Sequence, residues 1–296
     1  PRDLSVSTLN VEGVGDVVVP IILNTKFQGM FRRKLLSMLH EWYSRNKELA
    51  KKELGIDKYE CVMKPLLEGK KEIWGKYCGS CPNCLIFGYV TSEGRNCSSR
   101  IIGDVYYGTT SVSKCTEYVV FNAIDFITKS TQITVGGDEE EERKTGALYG
   151  MTMVKPSTVF VGKLAFKDMT INEFLLSLLT LSRVRRIGGR TTHFGQIKVH
   201  IVGILLSNWE KGSGYEIAKL VLRKFKGESV TLPKVKEVVR EYLKAISSEH
   251  DKVLTDTEIS SILESLDGRE DEIILNAWKE ALLFKKGLDE YVERKK

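Results

Sequence analysis

The chain has 296 residues, 42% of them hydrophobic, and a formal net charge of +6. This length and composition suit a globular protein with one large core or two modest domains. The longest apolar runs, near residues 174–181 and 201–206, are far shorter than the roughly 20 residues of a membrane-spanning helix, which excludes that class. No signal-peptide pattern is visible, so we expect a cytoplasmic protein without a membrane partner.

The first predicted elements are a strand over residues 17–25 and a helix that opens at Gly29. Arg32, Arg33 and Lys34 fall in the predicted first turn of this helix. A helix dipole alone favours acidic residues at that place, so the basic residues need another reason to be there. An anion bound at the helix N-terminus is one such reason.

Residues 58–115 differ in composition, with more cysteine, glycine and aromatic residues, and they predict an insertion with its own small core. Cys78, Cys81 and Cys84 form a Cys-x-x-Cys-x-x-Cys run, and Cys97 follows across a turn-like segment. Four thiolates form a closed tetrahedral site, so we predict structural zinc bound by these cysteines.

The fourth zinc ligand is open, because Cys61 or Cys115 can replace Cys97. An iron–sulfur cluster is the alternative, although the proline-flanked fourth cysteine of the bacterial motif is missing. Disulfides are disfavoured in a reducing cytoplasm, and packed free thiols are the remaining alternative.

The centre of the chain predicts two strands with a loop between them. One strand covers residues 117–127, an acidic run at residues 138–142 predicts a mobile loop, and another strand covers residues 159–166. Lys129, Arg143 and Lys144 lie between these strands.

A glycine- and arginine-rich loop spans residues 183–195, between a helix with a capping box at its start and a strand-like run over residues 197–205. No acidic residue occurs between Phe174 and Trp209. Glycines allow a ligand to approach the backbone closely, and arginines pair with phosphates in a planar fork. The loop therefore predicts a polyanion-binding site, against the alternative of solvated arginines.

The order of elements predicts an α+β fold with an RRM-like (ferredoxin-like) core. We expect residues 1–57 and 116–230 to form this core with its central hairpin, residues 58–115 to form the zinc-binding insertion, and residues 231–296 to form a helical subdomain.

No catalytic constellation is evident. His40, His193, His200 and His250 show no zinc-protease spacing, and Asp125 is an isolated carboxylate. A two-metal nuclease needs carboxylates clustered on rigid elements. We therefore predict a protein that is not an enzyme.

Several segments resemble the CRISPR-associated RAMP superfamily, most closely the large guide-RNA-binding backbone subunit of type I-D Cascade complexes. The resemblance covers about residues 17–205. Residues 29–33 resemble its glycine–arginine helix start, and residues 78–88 resemble its cysteine-rich insertion ending in Phe-Gly. Residues 124–160 resemble its central hairpin, and residues 187–195 resemble the glycine-rich loop that is its most specific signature.

This resemblance implies an RRM-like fold, self-association along a CRISPR RNA (crRNA), other Cascade subunits as partners, target DNA met through the guide, and no catalysis. Related type III subunits cleave target RNA with an aspartate near the start of their first helix. Residues 24–28 here read Asn-Thr-Lys-Phe-Gln, without an acid, which favours the non-enzymatic interpretation. The helical tail lies outside the shared pattern.

We therefore predict a clamp for single-stranded RNA that is independent of sequence. Its candidate residues are Arg32, Arg33, Lys34, Lys129, Arg143, Arg183, Arg185, Arg186, Arg190, His193 and Phe194. Two other classes remain open: a metal-dependent ribonuclease that uses His193 or Asp125, and a zinc scaffold for a protein partner.

Overall fold

A computed structural model of the chain describes residues 4–62, 77–90, 96–122, 132–134, 144–146, 148–188 and 195–294. Its strands are β1 (Val6–Val11), β2 (Gly15–Ile22), β3 (Tyr89–Val90), β4 (Asn96–Cys97), β5 (Ile101–Gly103), β6 (Tyr106–Gly108), β7 (Thr116–Asn122), β8 (Gln132–Thr134), β9 (Lys144–Gly146), β10 (Leu148–Val154), β11 (Phe160–Val161), β12 (Leu164–Phe166), β13 (Gly203–Leu206) and β14 (Lys252–Thr255). Its helices are α1 (Asn24–Arg45), α2 (Lys47–Leu54), α3 (Pro82–Phe87), α4 (Val112–Cys115), α5 (Ile171–Ser182), α6 (Gly214–Phe225), α7 (Leu232–Ile246), α8 (Asp256–Ser265) and α9 (Glu270–Glu293). Among these helices, none is both long and apolar enough to cross a membrane.

The first of two compact units contains Pro1–Ile22, Tyr106–Val161 and Gly214–Val238. Its four-stranded antiparallel sheet has the order β1-β2-β6-β11. Leu9 and Val11 alternate with exposed residues along β1, as expected for a strand with one buried face. Helix α6 packs on this sheet and buries Ile217, Val221 and Leu222. Strands β7 and β10 pair separately as an antiparallel ribbon.

The second unit contains Leu23–Val105, Gly162–Ser213 and Val239–Lys296. It is built around α1, α5 and α9, which pack on one another. The predicted apolar face of α1 is confirmed, since Phe31, Leu35, Met38, Leu39 and Trp42 are all buried. The Trp42 and Trp278 rings, with centroids 5.6 Å apart, join α1 to α9. Short α3 packs against both helices and carries the cysteine run.

Helix α1 begins at Asn24, five residues before the predicted start. Gly29 therefore lies inside the helix, and Arg32, Arg33 and Lys34 lie more than two turns from its first residue. The prediction that these basic residues occupy the first turn was wrong. An anion bound at the helix N-terminus therefore no longer explains these basic residues, because the field of the helix dipole falls off within the first turn.

The bounds of other elements also differ from the predicted ones. The predicted strand over residues 159–166 is divided into β11 and β12, and only β13 forms in the run predicted over residues 197–205. The tail is not all helical, because β14 pairs with β13. Both predicted capping boxes are confirmed, at Thr170 with Glu173 and at Thr255 with Glu258.

The fold is mixed, with helices and small antiparallel sheets, and it carries a cysteine cluster. Its two units divide the chain differently from the predicted boundaries, since residues 58–105 and most of the tail share a unit with α1. The RRM-like core stays a prediction. Lys129, Arg143, Asp125 and the acidic run at residues 138–142 lie outside the described residues.

Candidate metal centre and basic loop

Four cysteine sulfurs converge in the second unit. The Sγ atoms of Cys61, Cys78, Cys81 and Cys84 all lie within 4.8 Å of one another. The Sγ of Cys61 is 3.4 Å from that of Cys84 and 3.8 Å from that of Cys81, and those of Cys78 and Cys84 are 3.9 Å apart. A tetrahedron with zinc–sulfur bonds of about 2.3 Å has sulfur–sulfur edges of about 3.8 Å. The spacing therefore fits a single tetrahedral ion and is far too long for a disulfide.

Helix α3 positions two of these thiols. Cys81 is its N-cap residue and Pro82 begins its first turn, as proline prefers. Cys84 follows three residues later, on the same face of the helix. Gly79 turns the chain toward Cys78 with a φ of +69°, and the Tyr89 ring leaves little room for a side chain there. The short spacing of the motif thus brings the three thiols together in a compact knuckle.

Cys61 comes from the segment after α2, which α1 holds in place. The Nε2 atom of His40 is 2.6 Å from the Cys61 carbonyl oxygen, and the Tyr43 hydroxyl donates to the Asp57 carbonyl at 2.6 Å. The buried Tyr59 ring packs edge-on against Trp278, with centroids 4.8 Å apart. These contacts fix the backbone that presents Cys61 to the knuckle.

The assignment of Cys97 as the fourth ligand is corrected. Pairing of β3 with β4 places Cys97 opposite Tyr89, and its Sγ lies 3.6 Å from the Ser98 carbonyl oxygen instead of in the cluster. Cys115 is buried in the first unit, where its Sγ points to the Thr110 carbonyl oxygen at 3.5 Å. Cys61, an alternative in the sequence prediction, occupies the fourth position.

The cluster has an unusual charge balance. Hydrogen bonds from the thiols of Cys61, Cys81 and Cys84 hold the pKa of Cys78 far below its usual range. Burial raises the pKa of the Cys81 thiol, and its hydrogen bonds with neighbouring thiols add to this. The pKa shifts of the four thiols thus differ in direction, being lowered at Cys61 and Cys78 and raised at Cys81 and Cys84. Four thiolates at this spacing need a cation, and an all-sulfur tetrahedral donor set suits zinc. With all four bound, no coordination position remains for catalysis.

The basic loop is closed at its base by antiparallel pairing. The Ile187 amide donates to the Gly195 carbonyl and the Ile197 amide donates to the Arg185 carbonyl, each at 2.8 Å. Gly195 has a φ of +78°, and a Cβ there would lie 1.9 Å from the Ile187 carbonyl oxygen. Only glycine fits this close approach. Arg190, His193 and Phe194, inside the loop, lie outside the described residues.

The arginines at the base of the loop have different surroundings. Arg183 forms an ion pair with Glu270 at the start of α9. Arg185 is exposed, and its guanidinium donates to the carbonyl oxygens of Ser182 and Val184. Arg186 is also exposed and pairs through its backbone with Gln196. The two exposed side chains can meet a ligand at the base of the loop.

The basic residues of α1 also differ in their contacts and exposure. Arg32 donates to the Gly88 carbonyl at 2.8 Å, and its guanidinium carbon is 4.4 Å from the centroid of the Tyr77 ring. Arg32 therefore holds the cysteine-bearing segment against α1. Arg33 is exposed, and Lys34 is partly exposed.

One buried ion pair was not predicted from the sequence. Arg100 is 8% exposed and Glu173 is 1% exposed. They form a bidentate pair, with Arg100 Nη1 donating to Glu173 Oε2 at 2.9 Å and Nη2 donating to Oε1. Arg100 also donates to the carbonyl oxygens of Leu85, in α3, and Asp168. The capping box predicted a local role for Glu173, but no local pattern linked this residue to an arginine 73 residues away.

Comparisons with known proteins identify a family and a related fold. A protein-family model described as "Csc2 Crispr" matches residues 8–291. The crystal structure of Thermofilum pendens Csc2 superposes with a TM-score of 0.65 at 20% identity, covering 98% of this chain and 82% of that one, which shows a shared fold. A chain of a Type IV-B CRISPR complex gives a TM-score of 0.39 at 15% identity, covering 66% of this chain and 78% of that one. No curated protein matches.

Proposed function

Because this chain belongs to the Csc2 CRISPR family, we propose that it is a non-catalytic backbone subunit of a CRISPR effector complex. The family match and the shared fold support membership of such a complex. We assign it to type I-D Cascade, where it binds crRNA, associates with copies of itself and with other Cascade subunits along that RNA, and meets target DNA through the guide. Its expected cytoplasmic location stays a prediction.

The observation that carries RNA binding is the closed stem of the glycine–arginine loop. It presents exposed Arg185 and Arg186 beside a glycine-lined backbone. Guanidinium groups pair with phosphates in a planar fork, and contacts with phosphates carry no sequence information. This chemistry suits a single-stranded guide that must be held whatever its sequence.

The proposed clamp differs from the one expected from the sequence alone. Arg185, Arg186, Arg33 and Lys34 are its principal cations, because their side chains are exposed or partly exposed. Arg32 and Arg183 act first as structural residues through Gly88 and Glu270. Contributions from Arg190, His193, Phe194, Lys129 and Arg143 remain part of the proposal.

We assign structural zinc to Cys61, Cys78, Cys81 and Cys84. The tetrahedral spacing of their sulfurs supports this assignment. The ion joins the segment that carries Cys61 to buried helix α3, so we expect it to stabilise the packing of both. Zinc thiolate sites are colourless, whereas an iron–sulfur cluster absorbs visible light, so an absorbance spectrum separates the two.

The non-catalytic part of the proposal rests on the closed donor set of the cysteine cluster and on the lack of an acid in residues 24–28. A ribonuclease would have to use His193 or Asp125, and nothing among the described residues favours it. Magnesium-dependent cutting of bound RNA, lost on replacing either residue, would establish that function instead.

Replacing Arg185 and Arg186 together with alanine tests the clamp. We expect weaker binding of every single-stranded RNA sequence tested, with the salt slope of log K reduced by about 0.7 for each lost phosphate contact. The control is the double replacement Arg45→Ala/Arg269→Ala, which removes two exposed arginines from the same unit. Equal binding by the two variants in fluorescence anisotropy titrations would contradict the clamp.

A further inference from the structure

The first compact unit carries a second basic surface that the guide-RNA proposal does not use. Residues 214–236 contain six basic and two acidic residues. The α6–α7 basic surface comprises Lys219, Arg223, Lys224, Lys226, Lys234 and Lys236. The helix dipole accounts for Arg223, Lys224 and Lys226 at the C-terminal end of α6, but it does not account for the other three.

The fold displays these cations along one side of α6. Its buried residues Ile217 and Val221 face the sheet, whereas Lys219 and Arg223 lie one turn apart on the outer side. Beyond the helix, the Lys234 ammonium reaches to 5.8 Å from the centroid of the Phe225 ring. The end of α6 and the start of α7 therefore contribute to one continuous surface.

Lys226 occupies a position where glycine is the usual residue. It has a φ of +52° directly after the last residue of α6. The Gly227 amide donates to the carbonyl of Leu222, five residues earlier, at 3.2 Å, which is the 6→1 hydrogen bond of a Schellman cap. A lysine in this left-handed position is strained, and such strain is typical of positions retained for function.

The turn at Lys226 is firmly anchored. The Ser111 amide donates to the Gly227 carbonyl at 3.0 Å, and the Thr110 hydroxyl donates to the Glu228 carbonyl at 3.5 Å. These contacts hold the turn against α4. The backbone at Lys226 thus presents an exposed ammonium from a fixed point.

Carboxylates neutralise this surface only in part. Arg223 pairs with the exposed Glu12 at 3.2 Å, a kind of surface pair that contributes little stability. Lys219, Lys226 and Lys234 form no ion pair with any residue that the structure describes. Uncompensated lysines on a rigid helical surface attract phosphate anions.

A lysine lies beside each of the two aromatic rings of this surface, Tyr215 and Phe225. The Lys219 ammonium lies 5.3 Å from the centroid of the Tyr215 ring, and the Tyr107 ring meets the same tyrosine edge-on at 6.0 Å. Phe225 has Lys234 beside it. Single-stranded nucleic acids are usually bound by stacking bases on free aromatic faces. A duplex keeps its bases stacked internally and offers only phosphates to such a surface.

We propose that the α6–α7 basic surface binds the phosphate backbone of a nucleic-acid duplex, as a site separate from the guide-RNA loop. The ligand is recognised by charge alone, so DNA duplexes and RNA–DNA hybrids share the required chemistry. The inference goes beyond the proposed function, and its test does not depend on the loop.

The test is the substitution Lys226→Gly in the full chain. Glycine relieves the left-handed strain, so the variant should unfold at the same temperature or higher. Its affinity for a blunt DNA duplex should fall, with the salt slope reduced by about 0.9 for one lost phosphate contact. The triple variant Lys219→Gln/Lys226→Gly/Lys234→Gln should lose about three times as much slope.

The matched control is Lys244→Gln/Lys252→Gln/Lys286→Gln, which removes the same charge from exposed positions in the second unit. The control should retain duplex binding, and both triple variants should bind single-stranded RNA like the wild type. A parallel titration with an RNA–DNA hybrid identifies the preferred duplex.

Three results would overturn the proposal. One is wild-type protein that binds single-stranded RNA but no duplex, and another is equal duplex binding by the test and control triples. The third is a loss of single-stranded RNA binding by the test triple that is as large as its loss of duplex binding, which would assign this surface to the guide RNA. Failure of RNA binding by the wild type, with duplex binding intact, would count against the guide-RNA function alone.

Discussion

Cys61 shows how a single residue can complete a site that a local motif begins. The Cys78–Cys84 run supplies three thiols on one short turn, whereas the fourth arrives from a segment that precedes the run in sequence. His40 and Tyr43 of α1 fix that segment by binding its carbonyl oxygens. The fourth ligand is therefore selected by tertiary packing, which spacing alone does not reveal.

Serine substitutions test this assignment. We expect the purified protein to hold about one zinc ion per chain, as a four-cysteine site does. Cys61→Ser should lower the zinc content after dialysis against a chelator and lower the melting temperature, because one metal bond is lost. Cys97→Ser should leave both unchanged, and the reverse pattern in elemental analysis would restore Cys97 as the ligand.

The Arg100–Glu173 pair is a second residue-scale determinant. Glu173→Ala leaves the guanidinium buried and unpaired, so we expect the free energy of unfolding to fall by about 3–5 kcal/mol. The exposed pair of Arg269 and Glu272 provides the comparison, because Arg269→Ala should cost under about 1 kcal/mol. Urea denaturation measures both.

A double variant separates charge from packing at this site. Arg100→Met/Glu173→Leu removes both buried charges, so it should recover part of the stability lost in Glu173→Ala. A cost for Glu173→Ala no larger than that of Arg269→Ala would mean that the buried pair contributes little.

At the scale of elements, the stem of the basic loop depends on Gly195. Gly195→Ala places a Cβ 1.9 Å from the Ile187 carbonyl oxygen, so the stem must open. We expect faster hydrogen exchange at the Ile187 and Ile197 amides and weaker RNA binding. Gly188→Ala is the control, because its φ of +103° carries strain but its added Cβ meets no atom within 4 Å. Equal effects of the two substitutions would show that the close approach is unimportant.

Elements with a strong local signal were predictable. Both capping boxes and the apolar face of α1 follow from short-range patterns that packing did not override. The start of α1 was missed because Asn24, Thr25 and Lys26 are polar and show no apolar periodicity, although they form the first turn of the helix. Strand β14 was missed because it is only four residues long and ends at Thr255, the first residue of a capping box, and because its pairing with β13 is long-range.

The candidate site was only partly predictable for the same reason. Composition and spacing identify the cysteine run and the glycine–arginine loop, since both are local. They do not tell which arginines stay exposed in the fold. Arg32 and Arg183 look like Arg185 and Arg186 in sequence, but Gly88 and Glu270 engage the first two across the fold.

On the scale of the whole molecule, the proposed sites belong to different units. The unit around α1, α5 and α9 contains the cysteine cluster and the glycine–arginine loop, and the unit around α6 contains the α6–α7 basic surface. Membership of the Csc2 CRISPR family supports a place in an effector complex. Self-association along a guide is the central claim, because it distinguishes a backbone subunit from a single RNA-binding domain.

The most direct test is a titration of the protein with intact single-stranded RNAs of increasing length, followed by light scattering and gel analysis of the RNA. The account predicts that the number of bound subunits rises in proportion to RNA length, that binding weakens as salt increases, and that the RNA remains uncut. A fixed one-to-one complex at every length, or cleavage of the RNA, would contradict a non-catalytic backbone subunit.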